Sequence, residues 1–135
     1  YARKLKLRPG QTLHFELGRA VVAQCGSLIT RTLYIKKGAT KQFCIVDAGF
    51  TDLIRPALYQ AYHKIENLTS EEPTQAYDVV GPICESTDVF AKQIDLNTAH
   101  RGDWLAIRSA GAYGEIMASQ YNCRRLPQGY TSDEI

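Results

Sequence analysis

The sequence predicts a mainly β domain, a β-barrel or β-sandwich with one short helix. Short runs of alternating or β-branched residues recur along the chain, turn residues punctuate them, and a single stretch has helical spacing. At 135 residues the chain is long enough for one domain with a real core. No internal repeat or low-complexity tract divides it.

Leu13-His14-Phe15-Glu16-Leu17 alternates apolar and polar side chains, the period of a half-buried strand. Ala20 to Val22 and Ser27 to Ile35 read as further strand, rich in β-branched residues. Lys36-Lys37-Gly38-Ala39 reads as a turn, and Gln42 to Val46 as a short strand ending at Asp47-Ala48-Gly49. Leu53, Ile54, Ala57, Leu58 and Ala61 then recur at helical spacing. Pro56 suits a first helical turn, so a helix is expected from about Pro56 to Tyr62. Residues 67–75 read as a polar loop, Asp78 to Ile83 as a strand, and Gly102-Asp103 as a turn into a strand from Trp104 to Ile107. Gly111-Ala112-Tyr113-Gly114 is a glycine-bracketed loop, and the chain beyond Arg124 is a polar tail expected to fray.

The net charge is only +2, but residues 1–41 hold nine of the sixteen Lys and Arg and one acid, Glu16. A basic end can serve nucleic acid or a membrane surface. Here no stacking pattern or binding motif accompanies it, so neither partner is expected. Cys25, Cys44, Cys84 and Cys123 are too dispersed for a zinc site, and no metal is expected. With no signal peptide or long apolar run, free thiols in a reducing cytoplasm are the expectation. Tyr1 stands where an initiator Met would, which fits a piece of a longer chain. Asn67-Leu68-Thr69 is a formal glycosylation sequon read as chance.

Four clusters have the residue types for chemistry, each with a plainer alternative. Glu16-Leu17-Gly18-Arg19 puts an acid and a base around a glycine that would let a ligand approach the backbone; the alternative is a surface ion pair. Arg55 and Tyr59 are four apart and share a helix face if Arg55 caps the helix. Guanidinium and phenol would then bind a carboxylate, against a packed Tyr beside a solvated Arg. Cys84 and Glu85, after Gly81-Pro82, combine an acid with a cation-binding carboxylate; the alternative is a buried structural thiol. Tyr113, between glycines, offers its hydroxyl to a phosphate, or is simply a turn residue. His14, His63 and His100 have no triad-like spacing and read as structural or exposed.

In this order the clusters resemble the diaminopimelate decarboxylases, fold-type III enzymes that use pyridoxal 5'-phosphate (PLP). Val46-Asp47-Ala48-Gly49 followed by Leu53-Ile54-Arg55-Pro56-Ala57-Leu58-Tyr59 is similar to that family's substrate-binding stretch. Gly81-Pro82-Ile83-Cys84-Glu85-Ser86 and Ser109-Ala110-Gly111-Ala112-Tyr113-Gly114 resemble its later motifs. The likeness runs from about Leu13 to Asn122. It implies an N-terminal TIM-like barrel absent from this chain, with residues 1–24 the last strand region of that barrel plus a crossover and residues 25–135 the C-terminal β-domain. It also implies a cytoplasmic homodimer with active sites at the subunit interface, converting meso-2,6-diaminopimelate to L-lysine and CO2.

The resemblance assigns roles too. Glu16 is similar to the carboxylate that pairs with the PLP ring nitrogen, and Gly18 to a backbone contact with the cofactor phosphate. Arg19 resembles a residue on the phosphate and substrate-carboxylate side. Arg55 and Tyr59 look like binders of the carboxylate at the non-reacting end, and Glu85 like the group that recognises the distal ammonium. Cys84 looks like the acid that reprotonates the reacting carbon from the partner subunit, and Tyr113 like a cofactor and substrate ligand near the phosphate. One position departs: Leu17 stands where the family usually has proline, which would rigidify the turn before Gly18 and Arg19. None of the seven lysines has the context of the family's Schiff-base lysine, so the chain alone is expected to be inactive. Alternatives are a related arginine, ornithine or carboxynorspermidine decarboxylase, a non-catalytic stand-alone β-module, and, third, a basic nucleic-acid binder.

Overall fold

The computed structural model describes residues 4–133. Six strands form one sheet: β1 (Ser27–Lys37), β2 (Gln42–Val46), β3 (Ile65–Asn67), β4 (Thr74–Val80), β5 (Val89–Asn97) and β6 (Trp104–Arg108), in the spatial order β3-β6-β1-β2-β4-β5. Neighbours are antiparallel except β2 and β4, which run parallel with Cys44 opposite Val79.

β1 is the seam of the sheet. Ser27 to Arg31 pair with β6, while Thr32 onward pairs with β2, and the register slips between Thr32 and Tyr34. Such a slip bends a strand and raises its twist. The backbone groups at the changeover stay paired: Thr32 N–H donates to the Asp103 carbonyl at 2.8 Å and Gly102 N–H to the Thr32 carbonyl at 2.8 Å. The two outer strands are drawn together, with Asn67 Nδ2 of β3 donating to the Asn97 carbonyl of β5 at 3.5 Å. A bent, barrel-like sheet results.

Its concave side encloses Val46, Leu53, Tyr77, Val79, Leu105 and Ile107, all buried. Each side chain of this size contributes about 1.5–3 kcal/mol through apolar burial. Two inward positions of β1 are threonines whose hydroxyls are satisfied. Thr30 Oγ1 donates to Asp47 Oδ1 at 2.5 Å and accepts from Ala48 N–H at 2.9 Å, which fastens the turn after β2 onto β1. Burial pushes the Cys44 thiol up, leaving a packing residue of low reactivity.

The expected strands at Ser27 to Ile35, Gln42 to Val46 and Trp104 to Ile107 form, the first and last slightly longer. Lys36 and Lys37 end β1; the turn follows them, closed by Gly38 N–H on the Lys41 carbonyl at 2.8 Å. Residues 67–75 are not all loop, because β3 ends at Asn67 and β4 begins at Thr74. The strand expected at Asp78 to Ile83 lies earlier and stops at Val80, since Pro82 has no N–H for the ladder. The helix, α2 (Arg55–Tyr59), is shorter than expected and contains Arg55. It stops where Gln60 turns left-handed, at φ 53°.

Two stretches read as strand are not strand. Ala20 to Val22 lie in a single helical turn, α1 (Arg19–Val22), followed by a 3-10 turn over Ala23–Cys25. Residues 13–17 have no regular structure: Leu13, Phe15 and Leu17 are exposed, and no strand among the described residues pairs with them. Alternation specifies a strand only where a neighbouring edge accepts it. The sequon asparagine is structural, its Oδ1 accepting from Thr69 and Ser70 N–H and its Nδ2 donating to Asp103.

Candidate functional site

Two clusters form, on either side of the turn that leads from β2 into α2. The first centres on Arg55. Leu53, two positions earlier, is 1% exposed, and Pro56 lies in the first turn of α2 without an N–H to leave unpaired. Arg55 itself is 9% exposed. Its guanidinium lies 5.4 Å from the Tyr59 ring centroid and 5.9 Å from that of Tyr113. Among the described residues its side chain has no hydrogen bond and no ion pair. Withdrawing a cation this far from water is unfavourable unless an anion meets it. The arrangement has the chemistry to receive a carboxylate or phosphate, which accepts two parallel N–H bonds from a guanidinium.

Tyr113 reaches this cluster through a backbone crossing. Gly111 packs against Gly26 so closely that a Cβ on either would overlap the other's backbone or the Val22 carbonyl. Gly111 N–H donates to the Ala23 carbonyl at 3.0 Å and Ala110 N–H to the Gly26 carbonyl at 2.9 Å. The segment carrying α1 is thus pinned to the Tyr113 loop. A Cβ built on Gly18 would stand 3.4 Å from the Tyr113 hydroxyl. Tyr113 adopts φ 56°, a left-handed backbone that a non-glycine residue holds only under constraint and that concentrates at functional sites. Gly18 and Arg55 thus border Tyr113 separately, the first at its hydroxyl and the second at its ring.

The second cluster is the Gly81–Asp88 loop. Asp88, 3% exposed, accepts from Ile83 N–H and Phe50 N–H, each at 2.7 Å. Burial pushes its carboxyl up, and these two bonds offset part of that. Gly81 has no alternative, because a Cβ there would fall on the Asp88 carboxylate. Gly81 N–H donates to the Asp88 carbonyl at 3.0 Å and Asp88 N–H to the Glu85 carbonyl at 3.1 Å, closing the loop. Cys84 and Glu85 stand at its exposed tip, which rules out a buried structural thiol. The Tyr121 hydroxyl donates to Glu85 Oε1 at 2.5 Å, and its ring lies 5.8 Å from that of Phe50. The bond to Glu85 holds the Tyr121 phenol above its usual range.

The structure therefore brings Gly18, Arg55, Tyr59 and Tyr113 together, and groups Cys84 with Glu85. Among the described residues, no hydrogen bond, ion pair or ring contact joins the two groups. Glu16 and Arg19 are exposed and form no ion pair with each other, so the surface-pair alternative for them does not hold. Asp88, Phe50 and Tyr121 escaped the sequence reading. Asp88 follows the Glu85-Ser86-Thr87 turn, a weak hint, and nothing local marks Tyr121. A cleft of about 960 Å³ runs elsewhere, under Pro127 to Tyr130, and none of the eight expected site residues lines it.

The chain belongs to the pyridoxal-dependent decarboxylases: residues 20–111 match the family described as "Pyridoxal-dependent decarboxylase, C-terminal sheet domain". Within that class it is similar to several diaminopimelate decarboxylases. A diaminopimelate decarboxylase of Bacteroides thetaiotaomicron is 76% identical over all of this chain, which spans 35% of that relative. One of Pseudomonas aeruginosa is 53% identical over 84% of the chain and 27% of its own length. A diaminopimelate decarboxylase crystal structure superposes with a TM-score of 0.78 at 41% identity, over 82% of this chain and 29% of that one. The Helicobacter pylori enzyme complexed with L-lysine does so at 0.74 and 51%, over 79% and 26%.

Proposed function

We propose that this chain is the C-terminal portion of a homodimeric, PLP-dependent diaminopimelate decarboxylase that converts meso-2,6-diaminopimelate to L-lysine and CO2. The observation that carries the reading is Arg55, buried against two tyrosine rings and without an anionic partner among the described residues. The relatives' names and the L-lysine held by the Helicobacter pylori enzyme support the same substrate class.

PLP, when bound, supplies the sink for the electrons that departing CO2 leaves behind. The residues of this chain bind, orient and move a proton. Glu16 would keep the cofactor's ring nitrogen protonated, and Gly18 N–H with the Tyr113 hydroxyl would hold its phosphate. Arg19 would add charge on that side. Arg55 and Tyr59 hold the carboxylate that does not react, and Glu85 holds the ammonium next to it. Gripping both charges of the distal end positions the reacting carbon and penalises shorter substrates, which leave the gripping groups unpaired. The Cys84 thiol delivers the proton to the carbon that CO2 leaves, from the partner subunit. Residues 1–24 complete the PLP-binding barrel and residues 25–135 form the β-domain. The free thiols of Cys25, Cys44, Cys84 and Cys123 agree with a cytoplasmic setting.

A substrate panel on the full-length protein with PLP tests the assignment. CO2 release from meso-diaminopimelate, with little from arginine, ornithine or carboxynorspermidine and none from residues 1–135 alone, is the expected result. Preference for one of the other three moves the protein to a sister activity.

A further inference from the structure

We infer that Tyr121 is a positioning residue for the Cys84–Glu85 pair, holding the Glu85 carboxylate in the orientation that meets a substrate ammonium. The inference rests on the functional reading above and adds a residue to it.

Glu85 sits on an exposed loop tip, where a glutamate ordinarily samples several rotamers. The Tyr121 hydroxyl fixes one carboxylate oxygen at 2.5 Å. The other oxygen makes no bond among the described residues and remains an acceptor for a cation. Tyr121 also has anchors that do not pass through the loop. Its ring packs on Phe50, Ser119 N–H donates to the Thr51 carbonyl at 2.9 Å, and Arg124 donates to the Asp47 carbonyl at 2.5 Å. Asp88 grips the same place from the other side, through Phe50 N–H and through Ile83 N–H next to Cys84. Both restraints on the loop thus refer to the turn at Phe50, whose chain continues into α2 and Arg55. The acid and the cation acceptor are thus held against one short stretch of backbone. The bond to Glu85 and the charge of its carboxylate hold the Tyr121 phenol above its usual range, so that it stays protonated and able to donate.

The test uses the full-length protein with PLP. Tyr121→Phe keeps the ring and removes the donor. KM for meso-diaminopimelate should rise about tenfold with a smaller change in kcat. The inhibition constant of 2-aminopimelate, the same carbon chain without the distal amino group, should stay at the wild-type value. A merely structural role would move both together, and that outcome, or an unchanged KM, overturns the inference. Should Tyr121→Phe fail to fold, ζ-13C tyrosine NMR reads the same pairing. Glu85→Gln should lower the titration of the Tyr121 phenol toward the ordinary range, and an unmoved titration overturns the inference. Wild-type protein inert toward meso-diaminopimelate would bring down the functional reading and this role together, whereas an active enzyme with either adverse result removes only Tyr121.

Discussion

Arg55 is a cation that no anion among the described residues balances. The rings of Tyr59 and Tyr113 offer cation–π contacts of about 0.5–1 kcal/mol each at sites open to solvent on one side. Neither supplies the negative charge that a half-desolvated guanidinium calls for. An arginine serving only the fold should weaken the fold when replaced; an anion receptor should not. Arg55→Met is therefore expected to change folding stability by no more than about 1 kcal/mol, the lost ring contacts being offset by relief of the unpaired charge. In the full-length enzyme the same change should lower kcat/KM for diaminopimelate at least roughly a hundredfold, by removing a bidentate charge-assisted contact. Urea titration and steady-state kinetics on one variant separate the two effects. A large loss of stability would make Arg55 a structural residue.

At the scale of elements, the sheet depends on places where its ladders break. β4 and β5 lose register between Tyr77 and Val79, and Gln93 takes a left-handed φ of 50° there. Asp78 repairs the break: Oδ1 accepts from Gln93 N–H at 2.9 Å and Oδ2 from Lys41 Nζ at 2.6 Å. Burial alone would raise the Asp78 carboxyl, but these bonds outweigh it and hold the group below its usual range. A carboxyl depressed in the folded state stabilises the fold above its unfolded pKa of about 3.9 and loses that contribution as the pH falls through the lower folded value. Lys41 is partly exposed, so solvent screens its share. Asp78→Asn should cost about 1–2 kcal/mol at neutral pH. The deficit should shrink below about pH 4 as the wild-type carboxyl takes up its proton. Urea unfolding followed by Trp104 fluorescence across pH reads this directly.

Elements of this kind also mark what the sequence conveys. Runs with local support were legible: the β-branched residues of β1, the boundaries of β2, and the Gly102-Asp103 turn into β6. The alternation at residues 13–17 forms no strand among the described residues, because alternation records a face but not a partner edge. Among the candidate site residues, the contact of Arg55 with Tyr59 was legible from their spacing along one helical turn. Cys84 and Glu85 stood out by chemistry. The approach of Gly18 to Tyr113 was not, since it depends on Gly26 crossing Gly111, 85 positions apart in the numbering. Tyr121 and Asp88 act through contacts that no local pattern encodes.

For the whole molecule, the chain offers parts of a site without a complete one. Leu17, Val21 and Val22 are 71%, 62% and 44% exposed around α1, apolar surface of the kind that the rest of a longer polypeptide covers. The Arg55 and Cys84 clusters share the Phe50 turn yet do not touch, the layout expected if each serves a different active site of a two-fold dimer. Subunit mixing tests that claim most directly. Full-length Arg55→Met and Cys84→Ser variants, each nearly inactive alone, are co-expressed and assayed for CO2 release with PLP. Random assembly of shared sites should restore about a quarter of wild-type activity, because half of the dimers then carry one intact site out of two. A mixture no more active than its parents would contradict the account.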